Sequence, residues 1–328
     1  MRFKFYKVFW VFAFAKAILL FTSCDSKSSV EKEIAQIVVD VQLDQFHTTF
    51  SKATVEQLPE LKQSYPQLFP QQYPDELWEA KIVGKDTIYA VLEDAVLKAD
   101  FNYEAIENQV EDVMRHVNYY FPDFETTDII TVLSEVNYRK RVTPTKDYLI
   151  IGIDNYLGSD HELYTGINEY QRDDLNIDQL PADVALSYAY LFTQPSTDRT
   201  LLGSMVYFGK LQYLQSLFAP NITGAQQFET TPEKYDFMVQ SENQMWRYFV
   251  DKSLLFSTDP KLLSRFILPA PFSKFYLEVD QQTPGGVGKF IGYNMVTAFM
   301  NNNEVSIEDM LRMPAQELFE QSGYKPQQ

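Results

Sequence analysis

The apolar and polar positions of this chain change rhythm several times. An apolar run from residue 8 to 21, broken once by Lys16, comes first. Residues 25–33 are polar and read as a tether. From 34 to 44 the apolar residues Ile34, Val39, Val41 and Leu43 predict a strand. Residues 46–78 carry Pro59, Pro66, Pro70 and Pro74 among aromatic residues. Proline interrupts both helix and ladder, so short helices and turns are expected there. Over 103–121, Ile106, Val110, Val113, Met114 and Val117 form one stripe at helical spacing. The runs 128–136 and 147–157 are β-rich and bounded by turn residues, with Gly158 ending the second. A sheet of two to four strands is expected from them.

After residue 180 the pattern turns helical. Segments 183–192, 199–218, 232–257, 287–301, 306–313 and 315–321 read as helices. Ala219-Pro220 stops the second of these. Thr231 and Pro232 look like a cap and first turn of the third, and Ser306-x-x-Asp309 is a capping-box pattern. No internal repeat or low-complexity tract is visible. The fold class is therefore α+β and helix-dominated, with a small sheet in the first half and one globular domain over 34–328.

The chain's first residues read differently. Arg2, Lys4 and Lys7 precede the apolar run, and Thr22-Ser23-Cys24 follows it. That order is the secretory signal pattern, and the run is short for a membrane span, which takes about 20 apolar residues. Leu20-Phe21-Thr22-Ser23 resembles a loose bacterial lipobox. The resemblance implies cleavage after residue 23, a diacylglyceryl group on the Cys24 sulfur and acylation of the new amino group. The alternative is an uncleaved anchor helix. Several acyl chains matter physically, because one chain alone anchors only marginally.

Composition narrows the picture further. Cys24 is the only cysteine, so no intramolecular disulfide supports the fold. The core must do so, and 25 Phe and 21 Tyr supply the material. The signal removes four of the 28 basic residues, leaving 24 against 45 acidic ones, a net charge of −21. Such a body is repelled by nucleic acid and by anionic lipid, so membrane attachment is expected through lipid. No basic patch stands out against this.

A search for chemistry finds little. His47, His116 and His161 are far apart, and none pairs at metal-ligand spacing. His161-Glu162 begins a zinc-helix pattern but no second histidine follows, so a loop histidine is expected. There is no G-x-S-x-G elbow and no P-loop. The abundant carboxylates read as a solvated acidic surface. Pro284-Gly285-Gly286-Val287-Gly288 precedes a helix whose free amides are a candidate anion site. A tight turn that lets Gly288 and Gly292 pack closely is preferred, because no lysine-serine pair follows. Glu242 lies among Trp246, Tyr248 and Phe249 on one predicted helix. If it faces inward it needs a partner. Lys210, Arg247 and Arg265 are the candidates, and a closed ion-pair cluster of Glu242 with Lys210 or Arg247 is expected. No catalytic, cofactor-binding or metal-binding residue is assigned.

Several longer strings carry a family resemblance. They are Phe208-Gly209-Lys210-x-x-Tyr213-Leu214, Glu242-Asn243-x-x-Trp246-x-Tyr248-Phe249, Leu254 to Asp259, Arg265-Phe266-Ile267, Ala270 to Tyr276, and Pro284 to Tyr293. With Asp154-x-Tyr156-Leu157-Gly158, they resemble the gliding motility lipoprotein GldB of the Bacteroidota. The resemblance is strongest over about 147–303. It implies an envelope-anchored component needed for gliding, linked to type IX secretion, with its body outside the cytoplasm and machinery proteins as partners. It implies no enzymatic reaction and no cofactor. A weaker resemblance is to gluzincin-like metallopeptidases, with helix 199–218 as the zinc helix and Glu242 as a later ligand. That helix holds no histidine, and Lys210 puts a cation where a metal is wanted. The similarity therefore implies a degenerate, non-catalytic relative, against the alternative of an envelope hydrolase with a non-standard site.

Overall fold

The computed structural model describes residues 25–327, so the expected signal and Cys24 lie outside the described residues. The polar stretch expected to be a tether is helical over Asp25–Ile34. It lies against the helix Tyr103–Tyr120, where Glu33 accepts from the Tyr119 hydroxyl (3.3 Å) and Glu31 sits 3.5 Å from His116. The strand expected over 34–44 shrinks to two residues, β1 (Leu43–Asp44). Val39 and Val41 are buried while Val38 and Asp40 are exposed. The alternation there reports which side faces the core, but the backbone meets no ladder until residue 43.

Three further strands complete one mixed sheet: β2 (Asp128–Val132), β3 (Val142–Pro144) and β4 (Tyr148–Gly152), in the order β1-β2-β4-β3. β1 and β4 both run parallel to β2, and β3 closes antiparallel onto β4 with Val142 opposite Ile151. Successive β2 residues face opposite ways, as the pleat requires. Ile129 joins a core with Leu149, Ile151 and the helices Tyr103–Tyr120 and Leu180–Phe192. Ile130 joins an aromatic cluster of Phe46, Phe50, Phe69 and Tyr89 on the other face. The sheet is covered on both sides, which suits its parallel pairs.

The helix Leu201–Phe218 joins this core to a second one. Its Leu211, Leu214 and Phe218 pack toward the sheet, while Leu201, Leu202, Met205 and Val206 pack toward the C-terminal helices. A helix buried on both sides is apolar all round. Its neighbour Val287–Asn302 approaches at backbone contact. A methyl at Gly292 would lie 1.8 Å from the Met205 carbonyl oxygen, and one at Gly209 2.3 Å from the Gly292 backbone. The expected close packing of Gly288 and Gly292 is present: a methyl at Gly288 would meet Phe266 O at 2.8 Å.

The long helix expected over 232–257 is two, Pro232–Gln240 and Glu242–Asp251, separated at Ser241. The chain leaves the second at Ser253, whose φ is +53°. It then returns to the start of Leu201–Phe218, where the carbonyls of Ser257 and Leu255 accept from the amides of Leu201 and Leu202. Those amides have no partner within their own helix. The expected caps are in place, Thr231 accepting from the Lys234 amide and Ser306 from the Asp309 amide.

Candidate functional site

A turn with unusual backbone carries the site. Glu135 and Val136 have φ of +56° and +54°, a region that a β-branched residue rarely adopts. Asp154, fully buried in the single helical turn Ile153–Asn155 that follows β4, holds the turn. Its carboxylate accepts from the Ser134 amide (2.8 Å), the Ser134 hydroxyl (3.0 Å) and the Val136 amide (2.6 Å). Burial still pushes the Asp154 pKa up, against those donors. The turn delivers Tyr138-Arg139-Lys140-Arg141, a run of three cations leading into β3.

Arg141 points inward and is 8% exposed. Its guanidinium lies 2.8 Å from Asp183, 3.0 Å from Asp174 and 3.6 Å from Glu229. Asp183, on the first turn of Leu180–Phe192, also accepts from the Tyr156 hydroxyl at 2.7 Å and from Gln179 at 3.4 Å. Lys289 reaches Glu229 from the other side at 3.8 Å. Glu229 has φ of +50°, a second unusual backbone at the same place. Burial, opposed by Arg141, pushes the Asp183 pKa up to about 7. Burial raises Asp174 as well, and raises Tyr156 beside Asp183.

This arrangement has a pH signature. An unfolded aspartate titrates near 3.9, so folded Asp183 holds a proton that the unfolded chain has released between about pH 4 and 7. Its contribution to stability is full below that window and is lost as pH rises through it. Asp183→Asn is expected to remove that loss, worth at most about 1.4 kcal/mol per pH unit. Urea unfolding of parent and variant from pH 4.5 to 8 reads the difference. Parallel stability curves would contradict it.

Two adjoining cavities open onto the Arg141 cluster and share Tyr138, Arg139, Arg141 and Glu229. The larger, about 530 Å³, is walled by Phe228, Met238, Leu268 and Pro271. The smaller, about 380 Å³, runs along β3 toward Leu186, Tyr190 and Leu191. The glycine-rich turn forms part of the larger wall. Gly286 has φ of +72°, and a methyl on Gly285 would lie 2.2 Å from the Ala270 carbonyl oxygen. These glycines are needed for close backbone packing.

The family model for the gliding motility protein GldB matches residues 27–326. The chain belongs to the GldB family of gliding motility lipoproteins. No curated protein and no solved structure is matched by the chain. Among the described residues, no helix is long and apolar enough to cross a membrane.

Strings that resemble GldB proteins supply much of the site. Asp154 latches the turn, Tyr156 binds Asp183, and the Pro284–Gly288 stretch forms cleft wall. The residues singled out from the sequence fare differently. Glu242 is buried as expected, but among the described residues no ion-pair cluster surrounds it. Its carboxylate accepts from Tyr324 (2.6 Å), Asn294 (2.9 Å) and the Gln327 amide (3.2 Å). Burial and this carboxylate raise the Tyr324 pKa. The C-terminal segment folds back to supply neutral donors, so no cation is required. Lys210 instead donates to the carbonyls of Leu311 (3.0 Å) and Met313 (2.7 Å), at the end of Ile307–Arg312. Burial lowers its pKa to about 8, and it lines a different cavity of about 800 Å³. Arg247 is exposed and has no ion pair among the described residues. Arg265 binds the Tyr248 hydroxyl and the Lys274 carbonyl.

The histidines are equally separate. His47 is buried between Thr131 and Tyr103, and burial lowers its pKa. His116 accompanies the Asp112 carbonyl, and His161 caps a single turn in a loop. Among the described residues, no three His, Cys, Asp or Glu side chains converge to hold a metal ion. Arg141, Asp174, Asp183, Glu229 and Lys289 were not singled out from the sequence. The one available signal was the Arg139-Lys140-Arg141 run in an otherwise acidic chain.

Proposed function

We propose that this protein is a component of the gliding machinery, held in the cell envelope by acyl chains on Cys24. On this reading its body lies outside the cytoplasm, acts by binding other proteins of the gliding and type IX secretion machinery, and catalyses no reaction. The observation that carries the reading is how the buried carboxylates are used. Asp154 serves a backbone turn, Asp183 serves Arg141 and Tyr156, and Glu242 serves Asn294 and Tyr324. Each is satisfied by an internal partner, Asp183 included although it also lines the smaller cavity, whereas a general acid or base must be free to exchange a proton with its substrate.

Deletion of the gene tests this. Loss of spreading on agar and of adhesin export is expected. A deletion strain that spreads and exports normally would sink the proposal. The anchor has its own test: Cys24→Ser is expected to leave the body folded but release it from membranes or block its processing. A serine variant that is processed and still sediments quantitatively with membranes would contradict the lipid anchor.

A further inference from the structure

We infer that the cleft beside Arg141 binds an acidic peptide segment of a partner protein, seating its carboxylates among Arg139, Lys234 and Lys289. This deepens the protein-contact reading and rests on it. The first support is charge. The mature body carries −21, yet the two adjoining cavities are lined by five cations, Arg139, Lys140, Arg141, Lys234 and Lys289, against four carboxylates, Asp173, Asp174, Asp183 and Glu229. Arg141 is already engaged by Asp174 and Asp183. The outer cations are not. Arg139 and Lys140 are exposed, and neither makes an ion pair among the described residues. Lys234 donates to the Pro271 carbonyl at 3.1 Å and feels Asp173 without an ion pair at contact, and Lys289 reaches Glu229 at 3.8 Å and the Phe208 ring at 5.5 Å. The cleft thus presents donors whose carboxylate partners are missing or distant, and an arriving carboxylate gains charge-assisted hydrogen bonds there.

The second support is shape. Two cavities of about 530 and 380 Å³ adjoin at four shared residues and offer more room than a single inorganic anion uses. Their walls are partly apolar: Phe228, Met238 and Leu268 in the larger, Leu186, Tyr190 and Leu191 in the smaller. Leu268, Tyr190 and Leu191 are each about half exposed. Alternating acidic and apolar side chains on an extended peptide match that lining. Long polyanions fit poorly, because the −21 body repels them beyond the cleft.

The test pans a random heptapeptide display library against the full mature lipoprotein in detergent micelles. Recovered peptides are expected to be enriched in Asp and Glu. Their binding is expected to fall at least tenfold in Arg139→Glu/Lys234→Glu, whose two sites lie at the rim, and in Lys289→Gln. Binding is expected to be unchanged in Arg247→Glu, an exposed cation outside the cleft. Three results would overturn the proposal: no enrichment, enrichment without acidic residues, or binding indifferent to the rim reversal. Complete displacement by millimolar inorganic phosphate would also overturn it, by showing a simple anion site. The two proposals fail separately. A strain carrying Arg139→Glu/Lys234→Glu that glides normally, where the deletion strain does not, removes the cleft and leaves the contact reading standing.

Discussion

Replacing Arg141 by methionine is expected, at pH 8 where Asp183 is ionised, to destabilise the protein by about 3–5 kcal/mol, the usual cost of removing one partner from a buried ion pair. The side chains of Arg141 and Asp183 are each 7% exposed, and that of Asp174 is 14%. Methionine approximates the arginine stem, so little of the effect comes from lost volume. The cost arises from carboxylates left in a site that burial already makes unfavourable for their charge. Adding Asp174→Asn and Asp183→Asn to Arg141→Met is therefore expected to recover most of the loss. Urea unfolding with unchanged slope reads both steps. An Arg141→Met variant within about 1 kcal/mol of the parent would show that the network contributes little.

The same network shows what sequence reading reaches in this protein. Tyr103–Tyr120 was visible because one face is buried and the other solvated, which leaves a 3.6-residue period. Leu201–Phe218 was visible through length and apolar content, although its burial in two cores erases the period. The break at Ser241 was not visible. Nothing local forbids helix through that residue, and the side chain just beyond it, Glu242, is held by Asn294 and by a C-terminal segment more than 80 residues away. The need for a partner at Glu242 was inferred from its type. Partner identity is a tertiary property, and a tyrosine hydroxyl, an amide side chain and a backbone amide satisfied it in place of Lys210 or Arg247. The cleft was hidden for a similar reason. Arg141, Asp174, Asp183, Glu229 and Lys289 come from five separate stretches of chain, and only the fold brings them together.

Gly292→Ala is expected to be among the most damaging single-methyl changes in the protein. In a helix interior, alanine is favoured over glycine by about 1 kcal/mol, so local preference alone predicts a gain. The contact geometry predicts the opposite. The added methyl would lie 1.8 Å from the Met205 carbonyl oxygen and 2.5 Å from its carbonyl carbon, and both are backbone atoms of Leu201–Phe218. No side-chain rotation relieves such a clash, so one helix must move away from the other. That movement opens the packing of Met205 with Ile291 and Met295 in the second core. It also loosens the first core, because Leu201–Phe218 belongs to both. Overpacking of a core typically costs 1–3 kcal/mol, and a rigid backbone contact belongs at or above the upper end, about 3 kcal/mol net. Gly166→Ala is the matched control, since its methyl would meet nothing within 4 Å and is expected to change stability by less than about 0.5 kcal/mol. Denaturation midpoints of the two variants decide between the effects. A Gly292→Ala protein as stable as its parent, or more stable, would mean that the two helices do not approach at backbone contact.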